Sequence, residues 1–362
     1  MQDKSYRKMF RRIGLFAVAL AFVLGGCAKP APVKVVEPVF FPPPPDPPRV
    51  QFLKAINSSD DLGNKRKSKF ALFVTGEADA DQSKWISKPY GVTAYKGKIY
   101  VCDMGGWIVV IDPEKESLEV LDGSRLPGLA KPANLAFDKD GNFYISDMKQ
   151  KSILVYGPNG RFQQAIGKAP DFKPSDLVVE GDFVYALNLD KHEIRKFDRR
   201  TGRHIGSIGG NLEAMLQFPV GLAVKDGVLF VTNMNGTVVK VDRDGNYVGS
   251  FGEMGDGYQG FVRPKGIAID EEDRIYVVDN GMQIVKIFDK ENRLLLPFGY
   301  PGLPQGSMNL PVGVMITKEN VRFFQKFADP SFEVESLIFV TNQFGTSKLS
   351  VYGLGHRREK AN

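Results

Sequence analysis

The sequence predicts an all-β fold, a six-bladed β-propeller of four-stranded antiparallel blades closed by an N-terminal strand. Three observations carry that expectation. A proline-led unit recurs at a fixed spacing, each unit reads strand–turn–strand, and the first strands are apolar on both faces. The units open as "KPYGVTAYKGKIYVCD", "KPANLAFDKDGNFYISD", "KPSDLVVEGDFVYALN", "FPVGLAVKDGVLFVTN", "RPKGIAIDEEDRIYVVD" and "LPVGVMIT". Their prolines, Pro89, Pro132, Pro174, Pro219, Pro264 and Pro311, lie 43, 42, 45, 45 and 47 residues apart. A period of that size marks a solenoid or a propeller.

After each proline a short apolar run such as "GVTA" or "GIAI" meets a turn such as "DKDG", then a second strand carrying one aromatic: Tyr100, Tyr144, Tyr185, Phe230, Tyr276 or Phe339. A third strand follows in "WIVVID", "SILVYG", "EIRKFD", "TVVKVD", "QIVKIFD" and "KLSVYG", and a fourth is clearest in "YVGSFG" and "HIGSIG". Asp and Asn bond turn amides and Gly tolerates positive φ, so these junctions read as hairpins. First strands without alternation must be covered on both sides, as stacked blades require. Proline one step before a strand forfeits no ladder bond, and no sustained 3.6-residue pattern supports a helical solenoid.

The pattern "P-x-G-[LIV]-A-[VI]…[IL]-[YF]-V-x-[DN]" resembles the NHL repeat and related six-bladed propellers across residues 68–353. The sixth unit stops after its third strand, so the resemblance implies a closing strand from elsewhere. Residues 69–77, "KFALFVTGE", match "YVGSFGE" and are expected to supply it, whereas residues 49–56, "RVQFLKAI", read as an extra edge strand without a place.

Ahead of the repeats lie five cations and one anion within residues 1–26, then a twelve-residue apolar run at 13–24. That run is too short to span about 30 Å of hydrocarbon and has the plan of a signal peptide. Its ending, Leu24-Gly25-Gly26-Cys27, resembles the lipobox of bacterial lipoproteins, which implies cleavage after residue 26 and acylation of Cys27. In that family an Asp after the cysteine retains the protein in the inner membrane; Ala28 here favours the outer membrane. Residues 27–49 follow as a linker with nine prolines in 22 residues from 28 to 49, read as a semi-rigid rod of roughly 60–70 Å. The propeller is expected over residues 50–356, with a charged tail at 357–362.

Composition bounds the function. The net charge of +6 falls to 43 basic against 41 acidic residues once the leader is removed, too little for a global polyanion field, so nucleic acid is set aside as a partner. The second cysteine, Cys102, has no partner and reads as a small buried residue. The three histidines, His192, His204 and His356, have no zinc spacing, and no G-x-S-x-G or C-x-x-C-H motif occurs. No cofactor is expected.

Two asymmetries remain. Asp103, Asp147, Asn188, Asn233, Asp279 and Asn342 recur at every turn between second and third strands and read as turn devices. Two residues after the proline, four units carry Gly (Gly91, Gly221, Gly266, Gly313), but units two and three carry Asn134 and Asp176. With Asn188 and Asn233 these form the candidate ligand-binding set. In six-bladed lactonases carboxylate and asparagine oxygens hold a divalent metal, and the resemblance offers that as the alternative reading. The second asymmetry is an insertion at residues 318–336 with Phe323, Phe324 and Phe327, expected either to cover the underside of the propeller or to dock a partner. These readings favour a lipid-anchored, non-catalytic binding or assembly platform in the cell envelope over a metal-dependent lactonase-like hydrolase.

Overall fold

Every proline-led run opens the first strand of an antiparallel sheet in a computed structural model of the chain, which describes residues 37–63, 85–209 and 216–358. Five sheets are simple four-stranded meanders at residues 89–121, 132–166, 174–208, 219–251 and 264–298. The sixth is assembled from both ends of the chain. Its inner strands Pro311–Thr317, Phe332–Asn342 and Leu349–Arg357 are followed outward by Val50–Ile56, with Phe40–Phe41 as a fifth, outermost strand. First strands of successive blades touch in order, the sixth touching the first, so the ring is closed. A register shift falls directly after the proline in all six blades.

The core is distributed over six seams rather than gathered in one centre. Each hydrophobic cluster takes residues from two neighbouring blades: Cys102 and Val110 meet Ile145 and Tyr156 between blades one and two, and Tyr144 and Val155 meet Phe172 and Val184 between two and three. The other four seams are built alike. Adjacent residues of one strand therefore serve opposite seams, as Tyr144 and Ile145 do. This is why the inner strands needed apolar residues on both faces.

Two expectations about the N-terminal segment are corrected. The outer strand of blade six is Val50–Ile56, whereas residues 69–77, expected there, lie outside the described residues. Val50 and Phe52 fill the seam with blade five, while Leu53 and Ile56 fill the seam with blade one. The linker also ends earlier than residue 49. Pro42–Pro48 form the loop between Phe40–Phe41 and Val50–Ile56, with Arg49 N donating to Phe41 O at 2.8 Å, so this half of the proline tract is a hairpin connection and not a rod. Paired flanking strands outweigh the extended preference of the prolines between them.

The insertion forms a helical turn, Val321–Phe324, continued as Gln325–Phe327, and lengthens the following strand to Phe332–Asn342. Phe324 and Phe332 are 0% exposed in the seam between blades six and one, with Phe323 and Phe327 half-buried against the same cluster. Lys326 reaches Glu116 of blade one at 2.9 Å, and Gly97 N donates to Glu319 Oε2 at 2.6 Å. The insertion thus lies over the closing seam. Among the described residues no helix is long and apolar enough to cross a membrane.

Candidate functional site

The loops that enter the first strands and the turns from second to third strands share one face of the ring, called the upper face here. The mouth of the central channel opens there. Its wall is built in layers from the first strands. The residue after each proline supplies the rim, with Tyr90, Ser175, Val220, Lys265 and Val312 lining a small cavity of about 40 Å³. Below lies the glycine layer, then an apolar layer of Val92, Leu222, Ile267 and Val314.

The glycine layer explains its own composition. A Cβ at Gly91, Gly221, Gly266 or Gly313 would come under 3.0 Å from a backbone carbonyl oxygen: that of Ala133, Lys265, Val312 or Tyr90. None of the four has positive φ, so the constraint is space between converging strands rather than backbone conformation. Hydroxyls on the second strands fasten the same layer. Thr232 Oγ1 donates to Lys265 O and Thr341 Oγ1 to Tyr90 O, each at 2.5 Å. Cys102 occupies the equivalent column, 1% exposed between blades one and two, where burial foremost and the Asp176 carboxylate next push its thiol up.

Asn134 and Asp176 put the only side chains of this layer into the throat, and they meet there. Asn134 Nδ2 donates to Asp176 Oδ1. Leu177 N donates to the same oxygen and Leu222 N to Asp176 Oδ2, each at 2.8 Å, while Asn134 Oδ1 accepts from Leu135 N at 2.8 Å. The pair bridges blades two, three and four. Burial pushes the Asp176 carboxyl up to about 6, against the three hydrogen bonds, which favour its charged form. Tyr90 is pushed up to about 12 by its burial and by that carboxylate. Burial lowers the Lys265 ammonium, whose Nζ lies 3.7 Å from Met234 Sδ, and Ser175 Oγ is buried with no hydrogen-bond partner among the described residues.

A stability measurement checks the Asp176 shift. The folded chain holds this proton more tightly than the unfolded one, so the contribution of Asp176 falls as pH rises from 3.8 to about 6. At about 1.4 kcal/mol per pH unit the fall is roughly 3 kcal/mol. The unfolding free energy of the native chain minus that of Asp176→Asn should therefore decrease by that order across the window. A difference independent of pH would place the carboxyl at its ordinary value.

Asn188 and Asn233 do not join this pair. Asn188 Oδ1 accepts from Lys173 N at 3.0 Å, and its Nδ2 donates to Asp171 O and Glu193 Oε1. Asn233 Nδ2 faces Thr237 Oγ1 at 3.3 Å. Asn233 Oδ1 is buried without a hydrogen-bond partner among the described residues, whereas the carboxylate counterparts act as Asn188 does: Asp103 Oδ2 accepts from Ser87 and Lys88 N, Asp147 Oδ2 from Ala130 and Lys131 N, and Asp279 from Val262 and Arg263 N. Each clamps the incoming loop to the turn beside it. Among the described residues no group of three or more His, Cys, Asp and Glu is placed to hold a metal ion. Tyr90, Ser175 and Lys265 escaped sequence reasoning because the column after the proline, Tyr-Ala-Ser-Val-Lys-Val, has no pattern until the ring closes.

No protein-family model matches the chain, and no curated protein matches it. Solved structures do. A gluconolactonase from Xanthomonas campestris is 15% identical with a TM-score of 0.55, over 90% of this chain and 99% of that one. A streptogramin B lyase is 13% identical with a TM-score of 0.52, over 75% of this chain and 94% of that one. A catalytically inactive virginiamycin B lyase from Staphylococcus aureus, with quinupristin, is 16% identical with a TM-score of 0.51, over 74% and 95% of the two chains. At such identities the likeness is one of fold, the six-bladed propeller.

Proposed function

We propose that the protein is an NHL-type, lipid-anchored propeller of the bacterial outer membrane, held through Cys27 and acting as a non-catalytic binding or assembly platform. The observation that carries the non-catalytic part is the closed throat. Asn134 and Asp176 turn their oxygens to N–H groups of their own walls, and the cavity above them, about 40 Å³, is far below the roughly 300–1,000 Å³ of ligand pockets. What remains is a rigid ring that presents loops on two faces. The lipid anchor rests on the leader and lipobox residues, and the platform reading on the absence from the sequence of a nucleophile with its base.

The alternative is a metal-dependent lactonase-like hydrolase, toward which the name of one structural neighbour, a gluconolactonase, points. The donor set does not fit a divalent cation. A metal needs several convergent oxygens; Asn134, Asp176 and Asn188 aim theirs at amides, and Asn233 Oδ1, buried without a hydrogen-bond partner among the described residues, is not part of the throat lining. Metal analysis of the purified protein after incubation with calcium or zinc, together with a lactone-hydrolysis assay, tests the choice. Substoichiometric metal and no turnover are expected. Stoichiometric metal lost with Asn134→Ala or Asp176→Ala, accompanied by turnover, would install the hydrolase instead.

A further inference from the structure

On the face opposite the upper one, ion pairs stitch the ring from blade to blade. Arg199 of blade three pairs with Asp138 of blade two, and Arg243 of blade four with Glu180 of blade three at 2.8 Å. Lys225 of blade four meets Asp273 of blade five at 3.6 Å, Lys318 of blade six meets Glu271 and Glu272 of blade five at 2.8 Å, and Lys326 of blade six meets Glu116 of blade one at 2.9 Å. Five seams are bridged in this way. Among the described residues no ion pair joins blade one to blade two, where Arg125 of the connecting loop pairs with Glu119 of blade one at 3.2 Å.

Both halves of the bridge are replaced in that seam. Six residues after the opening proline the later blades carry Asp138, Glu180, Lys225, Asp270 and Thr317, but blade one carries Tyr95. The arginine side changes as well. Gly157 N donates to Arg161 O across the turn from third to fourth strand just as Asp242 N donates to Asn246 O, so Pro158 stands where blade four has Arg243. Tyr95 and Pro158 both line a cavity of about 430 Å³ between the two blades. That size falls within the roughly 300–1,000 Å³ of ligand pockets. The cavity between blades five and six, about 310 Å³, is by contrast spanned by Lys318 and its paired carboxylates.

The floor of the larger cavity is apolar and its walls are rings. Ile108, Leu126, Leu135 and Phe143 are at most 7% exposed there. Tyr95 lies flat on Phe137, with ring centroids 4.2 Å apart at 8°, and Tyr100 meets Phe137 edge-on at 4.8 Å. Tyr144 and Tyr276, the counterparts of Tyr100, give their hydroxyls to Asp138 and Asp270 and are at most 3% exposed, whereas Tyr100 is half-buried. Two polar groups are left uncommitted. The Tyr95 hydroxyl is buried with no hydrogen-bond partner among the described residues. Lys96, also on the wall, has no ion-pair partner among them, and its Nζ lies 5.1 Å from the centre of the Tyr95 ring. Its φ is 49°, a left-handed turn position at which blade four carries Asp226, the residue type such turns favour. The turn itself does not call for lysine.

We propose that this seam is a binding site for a small aromatic carboxylate, its ring among Tyr100, Phe137 and Phe143 and its carboxylate held by the Lys96 ammonium and the Tyr95 hydroxyl. An aromatic body fits because a flat ring extends the edge and face contacts already made on the walls. An anionic head fits because Arg125 neutralises Glu119 while Lys96 stays unpaired. The site is separate from the throat and from the lipid anchor.

The test uses the chain from Ala28 onward, which keeps every described residue. Calorimetric titration with naphthoate should give one saturable site, with naphthylmethanol and octanoate each binding at least about threefold more weakly. Tyr95→Phe should weaken naphthoate about fivefold without lowering the melting temperature, because it removes an unpartnered buried hydroxyl. Lys96→Asn keeps a residue suited to the left-handed turn and should weaken the carboxylate about threefold while leaving the alcohol as it was. Leu121→Trp, which fills the cavity, should abolish binding, and Tyr95→Phe carries the same test without added bulk. No saturable binding of naphthoate up to about 1 mM, or binding that Tyr95→Phe and Lys96→Asn both leave unchanged, overturns the proposal. Octanoate or the alcohol bound as tightly as naphthoate rejects the ligand class and the proposal with it.

Discussion

A chain lacking residues 38–57 is expected to lose the closed ring and, with it, cooperative folding of all six blades. The deleted segment buries Phe41, Val50, Phe52, Leu53 and Ile56, none more than 8% exposed, in the two seams that flank blade six. At roughly 1.5–3 kcal/mol per buried side chain the loss is on the order of 10 kcal/mol, similar to the whole stability of an ordinary folded protein at about 5–15 kcal/mol. Blade six would also expose the unpaired edge of Leu349–Arg357 to aggregation. Thermal unfolding should show either no folded baseline or a strongly lowered transition. Adding a peptide of residues 38–57 in trans should restore it, because the segment joins the body only by edge pairing and seam packing. Ile56→Asp in the full chain, which buries a charge in the seam with blade one, should reproduce much of the loss. Serine at Phe70, Leu72 and Phe73 should leave the transition where it was. A stable truncated chain, or a large loss from the serine variant, would move closure away from Val50–Ile56.

The propeller was legible because each blade repeats one pattern under one constraint. A strand between two seams must be apolar on both faces, and "GLAV", "GIAI" and the buried third strands meet that demand locally. Closure was legible as a need but not as an address. Residues 69–77 copied the outer-strand motif of other blades, while Val50–Ile56 won by what it buries on two sides, a property that emerges only when both neighbours are in place. Proline density misled for a related reason: seven residues, Pro42–Pro48, are a rod in isolation and a loop when Phe40–Phe41 and Val50–Ile56 pair around them. Asn134 and Asp176 stood out as breaks in a column of glycines. That they hydrogen-bond to each other, 42 positions apart, follows from adjacent blades bringing one layer to the axis. The exposure of Phe218 and Leu310 gave no signal in sequence, since both look like core residues until their backbone turns left-handed.

Replacing Cys27 with Ser is expected to abolish fatty-acid labelling and remove the protein from the outer-membrane fraction. The lipobox reading makes this sulfur the site of acylation, and its loss removes the anchor at its source. A single acyl chain holds a protein only marginally, with an association constant of about 10⁴ M⁻¹, whereas two or more give lasting attachment. The native protein should accordingly sediment with membranes through washes with high salt and alkaline carbonate. The Ser variant should keep its leader, run larger on gels and leave the outer membrane, staying in the inner membrane by its uncleaved apolar run or being released. Ala28→Asp separates anchoring from sorting. It should keep the label and the carbonate-resistant pellet while moving the protein to the inner membrane. Labelling that persists in Cys27→Ser would place acylation elsewhere and dissolve the tether from which the platform is built. Label lost with outer-membrane residence intact would mean that the folded body holds to that membrane by itself.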